Sequence, residues 1–157
     1  MEDKKHATNF TLGENGVLIN SVMRYKSIYM RSDNVRSTVH LIEVKGGHCL
    51  ADIKIKKEHT NSMEIVHGGF LTTLVEILTT IALISHENCG LLHNYSIQTH
   101  MRYINVAAEG DTLLFDSNTI KAGKNIAHLE CLVTNKSTGL LIVKGNHTKY
   151  ILRDKKF

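Results

Sequence analysis

The segment His67-Gly68-Gly69 stands at the start of the most apolar helical stretch of the chain. Glycine is a poor helix former, but it allows another molecule to approach the backbone closely. The first amides of a helix have no partners inside the helix and lie at the positive end of its dipole. The segment is therefore either a plain tight turn or a site where an amide stabilises a carbonyl oxygen that gains negative charge.

Glu76 is the carboxylate that could act with this turn, as a general base or as a nucleophile. A solvated glutamate on an exposed helix face would give the same pattern. Gly68 and Glu76 are eight residues apart, which is about 12 Å along one helix. Since one reacting carbon cannot contact both, joint action requires Glu76 from a second chain whose helix runs antiparallel. The site would then occur twice, at a two-fold interface.

Other reactive patterns in the sequence are weak. There is no Gly-x-Ser-x-Gly, so a serine hydrolase elbow is not predicted. His86, Cys89 and His93 have loosely metal-like spacing, but no fourth ligand is evident and we predict no metal site. The Gly-Lys-Asn at residues 123–125 is not a P-loop, because the upstream glycine and the following Ser or Thr are missing. Ser96 alternates with polar residues and by itself indicates only a polar strand face.

One long helix and several strands must position these residues. Residues 67–85 carry apolar side chains at i, i+3 and i+4 spacing, with a polar stripe opposite. Their length of about 28 Å would suit a membrane span, but Glu76 and four threonines argue against one. Alternating or apolar strand patterns, with Gly46-Gly47 as a hairpin turn, occupy residues 39–44, 50–56, 95–104, 112–120, 127–133 and 140–151.

This order of elements predicts an α+β domain. Consecutive strands joined by short turns form an antiparallel sheet, and a sheet of five to six strands would wrap the long central helix. A chain of 157 residues suits one domain with its own core. We assign residues 1–36 to an N-terminal segment with a helix, residues 37–152 to the domain, and residues 153–157 to a basic tail.

Composition bounds the partners and the compartment. The net charge of +4 arises from scattered basic residues, so no nucleic-acid-binding face is predicted. The three cysteines lack CxxC spacing, which favours free thiols in a reducing compartment. No secretory signal is recognised at the N-terminus. These observations leave the cytoplasm and association with the mitochondrion both open.

Several spaced motifs resemble the PaaI-type hotdog acyl-CoA thioesterases. The likeness covers roughly residues 45–150, and its motifs are residues 58–61, 67–69, 73–76, 94–97, 121–124, 134–139 and 145–149. The resemblance implies a hotdog fold, in which a sheet wraps one long helix. It also implies hydrolysis of medium- to long-chain fatty acyl-CoA by a dimer of dimers. Coenzyme A is then part of the substrate, and no metal or redox cofactor is needed.

The resemblance also implies roles for four residues at the reacting centre. Asn61 and the Gly68 amide would hold the thioester carbonyl. Glu76, from the partner chain, would attack or activate water, and Ser96 would orient that water. Two departures matter. Glu76 replaces the usual aspartate, and Asn105-Val106 replaces a Ser-Pro beside the ligand.

Further residues would bind the rest of the substrate. His67 and Gly69 would shape the turn, and Tyr103, with the residues up to Ala108, would lie along the substrate path. The coenzyme A phosphates would lie along a channel whose lining includes Lys121, Gly123, Lys124, Asn125 and Ile126. Two lysines in this segment suit phosphate.

Two other functions fit some of these residues. A hotdog hydratase or dehydratase would pair a histidine with a carboxylate, as His67 and Glu76 could do. A non-catalytic acyl-CoA binding module would share the fold, but it has no need of an intact set of Asn61, Gly68 and Glu76.

Overall fold

The computed structural model describes residues 39–90 and 92–156, which form one helix against one sheet. The helix, α1, spans Gly68–Ser85, and a short 3-10 turn spans Lys57–His59. The strands are β1 Val39–Lys45, β2 His48–Lys54, β3 Leu92–Tyr103, β4 Thr112–Ala122, β5 Ile126–Asn135 and β6 Leu141–Lys156. The N-terminal segment of residues 1–36, with its predicted helix, lies outside the described residues.

The six strands form one antiparallel sheet in the order β1-β2-β4-β5-β6-β3. The helix follows β2 and packs across the sheet, with contacts to all six strands. The predicted α+β hotdog architecture is therefore confirmed. Strand β6 continues through Arg153 to Lys156, so these residues of the basic segment belong to the sheet.

The β1–β2 hairpin is closed by the two glycines that the sequence indicates. Gly46 and Gly47 have φ angles of 57° and 93°, a left-handed region that favours glycine. A Cβ on Gly47 would also stand 2.8 Å from the ring of His86, and the Gly47 amide donates to Ser85 Oγ at 2.9 Å. The hairpin is thereby fastened to the C-terminal end of α1.

The apolar stripe of α1 forms the centre of the core. Leu74, Leu78 and Ile81 are fully buried against side chains of the sheet such as Phe115 and Val133. Each such side chain contributes roughly 1.5–3 kcal/mol by leaving water. By length and hydropathy alone, Gly68–Ser85 is the one helix in the described part that could cross a membrane, but 67% of it is buried by this fold. Its apolar character is therefore used by the core.

The polar stripe of α1 is a solvated face only near the start of the helix, where Thr73 is exposed. Thr79 and Thr80 are buried, and Glu76 is half-buried. They face the inward side of β6, where His147 and Lys149 are also buried. The helix therefore meets β6 through a layer of polar side chains.

Gly145 on β6 lets the helix come close enough for this layer to form. A Cβ at Gly145 would lie 2.7 Å from Val75 Cγ1 and 3.2 Å from Met101 Sδ. Both distances are shorter than ordinary contacts. Any side chain at this position would therefore push α1 away from the sheet.

We expect Gly145→Ala to lower the unfolding free energy by about 1–3 kcal/mol, because it overpacks a closely fitted contact. Urea denaturation followed by circular dichroism measures this. Asn146→Ala, on the exposed neighbouring position, is the control and should change stability by less than about 0.5 kcal/mol. Equal stability of Gly145→Ala and the wild type would show that α1 does not depend on this contact.

Candidate active site

The start of α1 offers a backbone amide for a ligand. His67 is the N-cap residue, and its Nδ1 accepts a hydrogen bond of 2.9 Å from the Gly69 amide. The Gly68 N–H has no partner among the residues that the structure describes. An unused amide at the positive end of a helix is suited to binding a carbonyl oxygen that becomes negative. The structure thus gives His67 and Gly69 a shared structural contact and leaves Gly68 as the donor.

Asn61 lies in the loop before α1 with one end of its amide already occupied. Its Oδ1 accepts from the Met63 amide at 2.9 Å, and its backbone is bonded to Ile65 and Glu64. This turn leaves Nδ2, a donor, as the end that could reach a carbonyl oxygen. Asn61 also lines an open cleft of about 630 Å³.

The loop is held to the helix by His59. This histidine is buried, its ring stacks on Phe70 at 4.4 Å between centroids, and its carbonyl accepts from the His67 amide at 2.9 Å. Burial lowers the pKa of His59, so the ring is neutral near pH 7. Asn61 and Gly68 are the two candidate hydrogen-bond donors to a ligand carbonyl. They are therefore carried by a fixed loop and a fixed helix end.

Tyr103 stands directly against the start of α1. Its hydroxyl donates to the Gly68 carbonyl at 3.0 Å and lies 2.7 Å from Thr72 Oγ1. A Cβ on Gly68 would lie 3.3 Å from the Tyr103 ring. This contact leaves little room for a side chain at position 68.

Glu76 lies at one end of a row of hydrogen-bonded side chains. Ser96 Oγ donates to Glu76 Oε1 at 2.9 Å and lies 2.8 Å from His147 Nε2. His147 Nδ1 lies 2.7 Å from Thr79 Oγ1. The structure thus brings together the two predicted site residues Glu76 and Ser96, and adds two that the sequence did not indicate.

Lys149 places a buried positive charge beside this row. Its Nζ donates to Thr80 Oγ1 at 2.7 Å, and Thr80 Oγ1 donates to the Glu76 carbonyl at 2.7 Å. Burial lowers the pKa of Lys149 to about 8, and the Glu76 carboxylate partly offsets this effect. The same burial, with the charge of Lys149, lowers the pKa of His147 to about 3. His147 is therefore neutral near pH 7.

The predicted phosphate segment forms the β4–β5 turn, at the opposite end of α1 from Gly68. The Gly123 amide donates to the Ile126 carbonyl at 2.9 Å, and Asn125 Nδ2 donates to the Ile151 carbonyl at 3.0 Å. Lys121 and Lys124 are exposed and form no ion pair within the described residues.

Arg153 fixes this turn, a role that its place in a presumed tail did not suggest. Its guanidinium donates to the carbonyls of Lys124, Gly123 and Asn88. Asn88 also donates to the Ala122 carbonyl at 3.0 Å. The turn is thus tied to the loop that follows α1.

Within one chain these groups form separate clusters. Gly68 and Glu76 are about 12 Å apart along the helix, and the loop after Ser85 is a further 15 Å or so away. His67 Nδ1 is occupied by the Gly69 amide and Glu76 by Ser96, so no His67–Glu76 pair exists in the chain.

The loop with the metal-like spacing is built differently. In the described residues, no three His, Cys, Asp or Glu side chains are grouped so that they could hold a metal ion. Cys89 is buried, and burial raises the pKa of its thiol to about 11. Its thiol lies 3.9 Å from Asn94 Nδ2. This cysteine is therefore a protonated core residue at neutral pH.

Comparison with known proteins decides the family. The sequence model described as "Thioesterase superfamily" matches residues 63–142. Human acyl-coenzyme A thioesterase 13 is 31% identical over 119 residues, which are 76% of this chain and 84% of the human protein. The chain belongs to the thioesterase superfamily. The predicted family resemblance is confirmed.

Solved thioesterase superfamily structures have the same architecture. Zebrafish thioesterase superfamily member 2 aligns with a TM-score of 0.76 at 29% identity, over 85% of this chain and 96% of that chain. The PaaI protein of E. coli aligns with a TM-score of 0.71 at 14% identity, over 86% of this chain and 96% of that chain, and so shares the fold. The superfamily match includes Gly68, Glu76 and Ser96 but ends before His147 and Lys149.

We expect the buried charge of Lys149 to appear in the pH dependence of stability. The folded pKa of about 8 lies below the ordinary 10.5, so the unfolded chain binds more protons between these values and stability rises with pH. The unfolding free energy of the wild type minus that of Lys149→Met should rise by up to about 1.4 kcal/mol per pH unit. Urea denaturation between pH 7.5 and 10 measures it.

Lys54→Met, which removes an exposed lysine at the end of β2, is the matched control and should give a pH-independent difference. Parallel stability curves for the wild type and Lys149→Met would contradict the buried-charge interpretation.

Proposed function

We propose that this protein hydrolyses medium- to long-chain fatty acyl-CoA to the free acid and coenzyme A. The observation that carries the proposal is the division of one helix into two half-sites. Its start presents the unused Gly68 amide and follows the loop that carries Asn61, and its middle presents the Glu76 carboxylate, which accepts a hydrogen bond from Ser96. A thioester hydrolase needs hydrogen-bond donors for the thioester carbonyl oxygen and a carboxylate that activates water. The thioesterase family and the name of the human relative, acyl-coenzyme A thioesterase 13, support the acyl-CoA substrate.

The chemistry divides between the half-sites. The thioester oxygen accepts hydrogen bonds from Asn61 Nδ2 and the Gly68 amide, which stabilise the negative charge that forms during attack. Glu76 removes a proton from water as the water oxygen bonds to the carbonyl carbon. The carbon–sulfur bond then breaks, and the leaving sulfur takes that proton. Direct attack by Glu76 is the variant of this mechanism that its longer side chain leaves open.

A second copy of the chain would complete each site. Because about 12 Å separates Gly68 from Glu76 on one helix, a single thioester needs Gly68 from one protomer and Glu76 from the other. In the described residues β6 is the only strand that pairs with β3, and β3 exposes large side chains such as Tyr95, Ile97 and Tyr103. A long apolar edge strand is normally covered. We propose that two copies pair along β3 and that two dimers associate.

The β4–β5 turn fits the remote part of such a ligand. It lies beside the loop that follows α1, and His86 is ten residues beyond Glu76, or about 15 Å along the helix direction. Its exposed Lys121 and Lys124 supply positive charge for phosphates. A ligand with a thioester at one end and phosphates at the other, such as acyl-CoA, spans this separation.

Two further features complete the proposal. The reaction needs neither a metal nor a redox cofactor, because the amides and the carboxylate supply its steps. The three free, buried cysteines support a reducing location, and we propose the cytoplasm or association with the mitochondrion.

We expect wild-type protein to release free thiol from saturated acyl-CoA substrates, with highest kcat/KM on medium to long chains. Glu76→Ala should lower kcat by about a hundredfold or more, because it removes the general base. A thiol-reactive dye measures the release for each chain length. Glu87→Ala, in the exposed loop after α1, should behave as the wild type. Equal rates for Glu76→Ala would disprove the mechanism, and hydration of enoyl-CoA in place of thiol release would favour the hydratase.

Mixing two inactive variants tests whether the site is shared between copies. Asn61→Ala and Glu76→Ala each damage a different half-site, so a mixed dimer keeps one intact site of two. Random exchange at equal concentrations should restore about a quarter of wild-type activity. The mixture is unfolded, refolded together and assayed, with each variant refolded alone as the control. Absence of recovery in a mixture that forms mixed dimers would place both half-sites in one chain.

A further inference from the structure

The row that ends at Glu76 has more hydrogen-bond contacts than protons to fill them. In order, it joins the Val75 carbonyl, Thr79, His147, Ser96 and Glu76. The four contacts measure 2.6, 2.7, 2.8 and 2.9 Å. Both ends, a carbonyl and an ionised carboxylate, only accept. Each contact needs one proton from within the row.

Three protons are available at neutral pH. The hydroxyls of Thr79 and Ser96 carry one each, and the neutral imidazole of His147 carries one. The charged groups that face this ring are Glu76 from α1 and Lys149 from β6. The residues paired with His147 on the adjacent strands, Thr99 and Leu129, do not titrate, and Cys89 lies on the far side near Lys149. One contact of the four therefore has no proton.

The position of the missing proton follows from Thr79. With its hydroxyl hydrogen on the Val75 carbonyl at 2.6 Å, Thr79 accepts from His147 Nδ1–H. His147 Nε2 is then an acceptor. Ser96 stands between two acceptors, Nε2 at 2.8 Å and Glu76 Oε1 at 2.9 Å, with one hydrogen to give. The row therefore has room for one more proton, at the end nearest the reaction.

We propose that His147 is a positioning residue that lets this row take up the proton removed from the attacking water, with Ser96 turning its hydroxyl hydrogen from Glu76 to His147 Nε2. The inference rests on the proposed hydrolysis and adds to it a residue outside the expected site. With the extra proton on Glu76, the carboxyl donates to Ser96, Ser96 donates to His147, and all four contacts are filled.

The step balances without any other reactant. Water oxygen bonds to the thioester carbon, and one water proton passes to Glu76. Ser96 then donates to His147 Nε2 and accepts from the Glu76 carboxyl. When the carbon–sulfur bond breaks, the sulfur keeps the electron pair and takes from Glu76 the proton that came from water. Ser96 returns its hydrogen bond to the carboxylate, and nothing is oxidised or reduced.

The tautomer of His147 can be measured without any substrate. Nitrogen-15 NMR of ring-labelled protein, with the signal assigned by its loss in His147→Asn, should show a neutral ring protonated at Nδ1. Glu76→Gln mimics the protonated carboxyl, because its amide can donate to Ser96. In that variant Ser96 donates to His147, so the nitrogen-15 shift of Nε2 should move toward that of a nitrogen that accepts a stronger hydrogen bond. In Ser96→Ala this donor is lost, and the shift should move the opposite way. A proton on Nε2 in the wild type would overturn the proposal.

The pH profile of hydrolysis separates a proton-accepting role from a structural one. His147→Asn keeps a donor toward Thr79 but has no atom at the Nε2 position, so kcat should fall by up to about a hundredfold with KM unchanged. Ser96 then has no acceptor on residue 147, so the row stabilises the protonated form of Glu76 less. The acidic limb of the kcat profile should therefore move to lower pH. His147→Gln, which restores an acceptor near Ser96, should return the limb toward its wild-type position.

His128→Asn, an exposed histidine on β5, is the matched control and should not change the profile. If kcat falls in both His147 variants while the acidic limb stays in place, His147 is structural and the proposal is wrong. If the wild type hydrolyses no acyl-CoA, the proposed function fails, and the positioning role of His147 in hydrolysis fails with it. The NMR spectra still decide the placement of the protons in that case.

Discussion

The contact between Val75 and Gly145 governs the distance between the helix and the last strand. Helix and sheet approach so closely there that no Cβ fits on the strand. Glu76 and Thr79 follow Val75 on the helix, and His147 and Lys149 follow Gly145 on the inward face of β6. Because the approach is close, side chains as short as threonine and serine reach their partners across it at 2.7–2.9 Å. A wider gap would place water in these positions.

This polar layer replaces part of what could have been hydrophobic core. His147 and Lys149 are 1% and 2% exposed, and such burial is unfavourable unless hydrogen bonds compensate for it. His147 has two hydrogen bonds, to Thr79 and to Ser96, and Lys149 has one, to Thr80. The compensation is incomplete for Lys149, whose lowered pKa records the remaining cost. Exchanging a buried charge for an apolar side chain often stabilises a protein, so we interpret this layer as serving the site.

The sequence predicted the helix, the six strands, the Gly46-Gly47 turn and the family, because each depends on local pattern or on spaced motifs. It also predicted that Gly68 and Glu76 could not serve one substrate within one chain. It did not predict His147 or Lys149. On β6 the inward positions read Val, Gly, His, Lys and Ile, and the polar pair in that series resembles a solvent-facing stretch. Only the strand order, which places β6 under the polar stripe of α1, shows that these side chains point inward.

Arg153 was missed for a related reason. Charged residues near the end of a chain are usually solvated, and no spacing rule links residue 153 to a turn thirty residues earlier. Its bonds to that turn depend on β6 extending past the point where its apolar alternation fades.

The order of the strands has a consequence for the folding of the chain during its synthesis on the ribosome. Strand β3 is hydrogen-bonded to β6 in the described fold, yet some forty residues separate the two in synthesis. Ser96 therefore has no fixed position until β6 has been made and has paired with β3. The same holds for the Glu76 carboxylate, which is bonded to Ser96. Such long-range pairing is slow compared with helix formation, and it leaves an apolar strand exposed meanwhile. Nascent chains of this protein would carry a formed helix without its active site, and they would be most prone to aggregation before their last strand emerges.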